Sequence, residues 1–222
     1  MRKPSATTVS GIVAIATTLM IFGVLQWRAS VTPISIGLWY DDFPYTLNED
    51  ATSKLGGSLE QPDIDAIKRA ARGELERAFA GLRVAISDDR NAFWRVRVLR
   101  TIGPGLRPRR VPSSGESYAL GPFGGGGTVD FQVAAYGAIH YAPPGATRQE
   151  IVDGIGRGIA RAAAHEFGHL ILAGRFNHTR RTDGPTYEGA TSDRAEQYYG
   201  EIHWATAWPL LEQKIGRQDA YD

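Results

Sequence analysis

His165, Glu166 and His169 are the residues whose types and spacing point most specifically to chemistry. Residues four apart lie one above the other on a helix, so two imidazoles at that spacing can grip one metal ion. The glutamate between them can serve as general base toward a water on that metal. A catalytic zinc usually keeps three protein ligands and leaves the fourth position to water, so a third ligand is expected downstream. His178, Asp183 and Glu188 each have the required donor atoms. His178 is the expected choice, because Gly174 can end the helix and a short turn can bring His178 back to the metal. Asp183 and Glu188 remain alternatives, Asp183 also as an acceptor for the free N–H of a ligand histidine.

The helix that must carry the motif is well signalled. Thr147 and Glu150 have capping-box spacing, and Ile151, Ile155, Ile159 and Ala162 form one apolar stripe. At about 100° per residue, His165, Glu166 and His169 fall within roughly 60° of that stripe, facing the body of the protein. Gly154, Gly156 and Gly158 interrupt the pattern, each weakening a helix by about 1 kcal/mol relative to alanine. Close packing against a neighbouring element would offset that cost.

With this motif in place, His165-Glu166-Phe167-Gly168-His169 resembles the HExxH motif of the zincin superfamily of zinc metallopeptidases. The three candidate ligands correspond to three of its branches. His178 after Gly174 is similar to the third histidine of metzincins, although both residues come later than HExxHxxGxxH places them. The only methionines, Met1 and Met20, supply no metzincin methionine turn. Asp183 near Tyr187 is similar to the aspartate of aspzincins, and Glu188 to the later glutamate of gluzincins. The resemblance implies an α+β fold, with a mixed twisted sheet packed on a long HExxH helix and a helical C-terminal part. It implies one zinc ion held by His165, His169 and a third ligand, and a zinc-bound water activated by Glu166. It further implies a peptide or protein substrate lying antiparallel to an edge strand, for which residues 128–136 and 138–142 are the candidates. Tyr187 could steady the oxyanion if its loop approaches the metal; a core or rim tyrosine is the commoner role. Two other functions fit the same motif: a non-catalytic binding protein with a metal-stabilised fold, and a zinc hydrolase of a non-peptide amide.

The whole chain is compatible with this. Its 222 residues are 42% hydrophobic with a net charge of +1, a globular composition that suggests neither disorder nor nucleic-acid binding. There are no cysteines, so disulfides and thiolate metal sites are excluded. Arg2 and Lys3 precede an apolar stretch over residues 11–27, which reads as a signal anchor or signal peptide in a segment 1–30. An uncleaved anchor is preferred, since no good small-residue cleavage site follows. Residues 31–222 would then form one extracytoplasmic or exported domain. The sequence leaves oligomeric state open.

Within that domain, residues 31–39 read as a first strand and residues 40–62 as a loop. A helix is expected from Asp63, with Ile64, Ile67, Ala71, Leu75, Ala78 and Leu82 on one stripe and Gly81 near its end. Residues 83–87 and 93–100 read as a hairpin or a pair of nearby strands, the second with one wet face. Residues 102–115 read as a surface loop, and the four glycines 124–127 as a flexible turn, because no lysine and helix follow to make a phosphate loop. His140 falls in a strand-like segment as a packed histidine. Residues 192–215 read as one or two helices, with Pro209 marking a break or a second start. His203 there reads as structural.

Overall fold

The structure, a computed structural model, describes residues 17, 20, 33–102, 115–119, 124–178, 184–189 and 192–218. The chain divides into two units, Met1–Pro33 and Ile34–Asp222. The expected anchor over residues 11–27 lies almost wholly outside the described residues. Among the described residues, no helix is long and apolar enough to cross a membrane.

The second unit is a mixed α/β arrangement built on five strands and one long helix. In chain order the elements are β1 (Ile34–Tyr40), α1 (Glu49–Leu55), α2 (Gln61–Ala78), β2 (Val84–Ser87), β3 (Trp94–Leu99), β4 (Gly115–Ala119), β5 (Gly125–Asp130), α3 (Phe131–His140), α4 (Arg148–Leu172) and α5 (Trp208–Ile215). The sheet order is β2-β1-β3-β5-β4. The first four of these are mutually parallel, and β4 runs antiparallel to β5. Ile36, Leu38, Trp94, Val96, Val98 and Val129 are buried on one side of the sheet with apolar residues of the helices. On β3 these alternate with Arg95 and Arg97, and Arg97 reaches Asp41 and lies over the ring of Trp39. The expected wet face is therefore present.

Several expectations change. Of the two readings of residues 83–87 and 93–100, the pair of nearby strands holds and the hairpin does not: β2 and β3 both pair in parallel with β1, which lies between them. Their connection crosses β1 at Gly37, where a side chain would collide with the carbonyl of Asp89. The expected loop 40–62 contains α1, capped by Asn48, whose side chain accepts from the Ala51 amide at 2.8 Å. The glycines 125–127 are not a turn but the start of β5, an interior strand, and Tyr118 of β4 lies over Gly126. Residues 131–140 are helical and not extended, because Asp130 ends β5 and caps α3, accepting from the Val133 amide at 3.0 Å. The sheet's edges are thus β2 and β4, and neither segment expected as an edge strand supplies one. His140 sits exposed at the end of α3, stacked on Tyr136 with ring centroids 5.7 Å apart.

Helix α4 starts where expected, with Thr147 and Glu150 forming the capping box. It packs against α2, α3 and strands β3, β4 and β5. Its three early glycines make those contacts possible: a Cβ on Gly156 would sit 2.5 Å from the Ile67 carbonyl of α2, and one on Gly158 would sit 2.6 Å from the Tyr198 ring. Tyr199 covers Gly154 in the same way. Among the described residues beyond α4 most are irregular, and Pro209 lies in the first turn of α5, the second helix start the sequence allowed.

These contacts separate two kinds of helical glycine. Gly156→Ala should destabilise the protein by about 1–3 kcal/mol in denaturant unfolding, since overpacking against backbone outweighs the gain in helix propensity. Gly73 of α2 has nothing within 4 Å of the Cβ position, and Gly73→Ala should stabilise by up to about 1 kcal/mol. Equal effects from the two substitutions would contradict the close α2–α4 packing.

Candidate metal centre

The last two turns of α4 carry His165 and Glu166, both buried, and His169, half-buried. The helix ends at Leu172, and the reversal is made by Ala173 at φ 49°, followed by a single 3-10 turn over Ala173–Arg175. The expected stop, Gly174, has no positive φ. Phe176 then folds back on the helix, its ring filling the space beside Gly168, where a Cβ would collide with it. The same ring lies 4.5 Å from His169 and 5.2 Å from His165, centroid to centroid. Two residues further on, His178 stands 4.9 Å from each of the other imidazoles.

One ring nitrogen from each of His165, His169 and His178 lies within 4.8 Å of the other two, a group that could hold a metal ion. Orientation supports the fit. The Nδ1–H of His165 donates to the carbonyl of Tyr187 at 2.9 Å, which fixes the tautomer and leaves Nε2 with its lone pair. Burial pushes the His165 imidazole down to about 4 from an ordinary 6.5, with the Tyr187 carbonyl opposing and the two neighbouring imidazoles assisting. His169 is likewise held below its ordinary value by burial and by His178. Neutral imidazoles are the form that binds metal, so His165 and His169 are already favoured in the ligating form.

Of the two other candidate ligands, Glu188 is engaged elsewhere: it is fully buried, and its carboxylate accepts from the amides of Ala205 at 3.0 Å and Ala207 at 2.6 Å. Asp183 lies outside the described residues. Tyr187 is a core tyrosine: its ring packs on Trp204, and its hydroxyl donates to Glu74 at 3.1 Å. Its contribution to the site is the backbone carbonyl on His165, a contact that no sequence pattern signals. His203 is exposed and supplies a backbone carbonyl to the Tyr187 amide at 3.0 Å, a structural role that keeps the Tyr187 segment in register.

Glu166 faces the sheet. A Cβ on Gly115, the first residue of β4, would lie 2.5 Å from Glu166 Oε1, so the edge strand passes directly over this carboxylate. No protein-family model matches the chain, and no curated protein matches it in sequence.

His165 also links the site to stability. Unfolded, it takes up a proton near 6.5; folded, only near 4, so its share of stability is complete above pH 6.5 and is lost as the pH falls toward 4. Melting temperatures of the metal-free protein should fall across that window, and His165→Gln should flatten the fall. An equally acid-sensitive variant would assign the loss to other groups.

Proposed function

We propose that this protein is a zinc metallopeptidase of zincin-like architecture, with His165, His169 and His178 as metal ligands and Glu166 as general base. The observation that carries the reading is the three-imidazole cluster with a buried glutamate adjacent to its first member. A zinc ion held there would polarise a substrate carbonyl and lower the pKa of a bound water to about 7. Glu166 accepts the proton of the attacking water on its carboxylate and returns it to the leaving amine as the peptide bond breaks. Tyr187 holds His165 in the ligating tautomer through its carbonyl. A structural zinc site has no need of a base at position 166, which favours catalysis over a metal-stabilised binding protein.

Strand β4 takes the part of the substrate-pairing edge in this reading. It is the last strand of the sheet, it is antiparallel to β5, and its first residue touches Glu166. An extended peptide laid along it would bring a scissile carbonyl near the base and the ligand cluster. The basic-led apolar stretch at the N-terminus supports an extracytoplasmic location, anchored or exported.

Purified protein should contain about one zinc per chain and hydrolyse peptides. Glu166→Gln should retain the metal and lose roughly a hundredfold or more in kcat. His178→Ala should lose zinc; if it keeps zinc while Asp183→Ala does not, the ligand set is different. Stoichiometric zinc without hydrolysis of any peptide would favour the binding protein, and cleavage confined to non-peptide amides would redirect the substrate class.

Gly115→Ala tests the contact with the base. The added methyl should displace the Glu166 carboxylate and lower kcat by about tenfold while zinc content is unchanged. Unaltered kcat would mean that β4 does not constrain Glu166.

A further inference from the structure

Between α2 and α4, bordered by Tyr187, lies a cavity of about 480 Å³. Its walls include Glu74 and Arg77 of α2, Arg157 and Arg161 of α4, and the indoles of Trp204 and Trp208. Three guanidinium groups and two carboxylates, Glu74 and the exposed Glu201, therefore border one partly desolvated space. Glu74 is already committed: its Oε1 accepts from Arg161 Nε at 2.7 Å and from the Tyr187 hydroxyl, and Oε2 accepts from Arg77. Arg161 is also committed, its remaining nitrogens donating to the carbonyls of Glu196 and Gly200.

Arg157 is different. Its Nε donates to the Tyr198 carbonyl at 2.6 Å and its guanidinium lies 5.9 Å from the Tyr199 ring centroid, but among the described residues no carboxylate is within ion-pair distance. Asp153, one turn away on the same helix, is engaged by Gln149 at 2.8 Å, and Glu201, which also borders the cavity, is exposed and forms no ion pair. Half-buried cations of this kind are costly unless an anion meets them, and with Nε engaged the two terminal nitrogens still present one edge that matches an oxyanion fork-to-fork.

We propose that this cavity is a binding site for a small organic oxyanion, a carboxylate or a phosphate, gripped by Arg157 with Arg77 and flanked by Trp204 and Trp208. Charge selects the anion, and the indole walls favour one with a flat apolar body. The proposal does not rest on the peptidase reading, since neither Arg157 nor Arg77 ligates metal or acts as base, although the wall residues Glu74 and Tyr187 also anchor His165.

Titration calorimetry on the full chain, at constant ionic strength set with chloride, tests it with two probes. Inorganic phosphate and benzoate should each bind saturably at about one per chain, and tighter binding of benzoate would identify carboxylates as the preferred class. Arg157→Gln and Arg77→Gln should each weaken binding about tenfold. No saturable binding of either probe to the wild type up to about 10 mM overturns the proposal, as does unchanged affinity in the variants. If Arg157→Gln fails to fold, the side chain of Arg77 is largely exposed, and unchanged affinity in Arg77→Gln is then decisive.

Discussion

The ion pair between Arg161 and Glu74 is the constraint on which the candidate site depends. Both side chains are almost wholly buried, and two charges removed from water are tolerable only when their remaining hydrogen-bonding capacity is also met. That requirement draws in four separate pieces of chain. Glu74 comes from α2 and Arg161 from α4; the carbonyls of Glu196 and Gly200 fill the other guanidinium positions, and the Tyr187 hydroxyl meets the carboxylate. With its side chain anchored there, Tyr187 can present its carbonyl to His165 only one way. A polar network in the core thus sets the orientation of a histidine one turn further along the same helix.

His165 and His169 pack against the Phe176 ring, and their burial is what holds these two imidazoles toward the neutral form. Low polarity disfavours the imidazolium, and proximity among three like groups disfavours it further. Metal affinity and folding stability therefore respond to acid through the same residues. Glu166 meets the start of β4, so the sheet bears on this carboxylate, whereas the chain reversal after the helix brings in His178.

How much of this was legible in the chain depended on whether a pattern had a single reading. The capping residues Thr147 and Glu150, the isoleucine stripe and the HExxH spacing agree on one helix, and α4 is that helix. The segment around Val129, Phe131, Val133 and Ala135 alternates like a strand, yet Phe131, Ala134, Ala135 and Ala138 also share a helical face; Asp130 as a cap was the deciding residue. In α1 the signals at Asn48 and Gly56 were present but short, and the surrounding acidic and glycine residues suggested a loop. The run 124–127 was misleading in principle, because glycines sit in β5 to admit neighbouring side chains, a tertiary reason that no local pattern records. His178 was found by chemistry and chain reversal. The residues that achieve the reversal, Ala173, Phe176 and Gly168, were not, since an alanine at positive φ and a ring packed on a helix carry no sequence signature.

The unequal burial of the three imidazoles has a kinetic consequence. His165 and His169 are fixed to a rigid helix, one locked by a carbonyl and the other wedged against Phe176, whereas His178 is exposed on the chain that follows the 3-10 turn. A bound ion would be gripped by a stationary pair and closed over by one outer arm. Its entry and departure would then proceed through release of that arm alone, so the residence time of the metal is governed by how firmly residues 176–178 lie down on the helix.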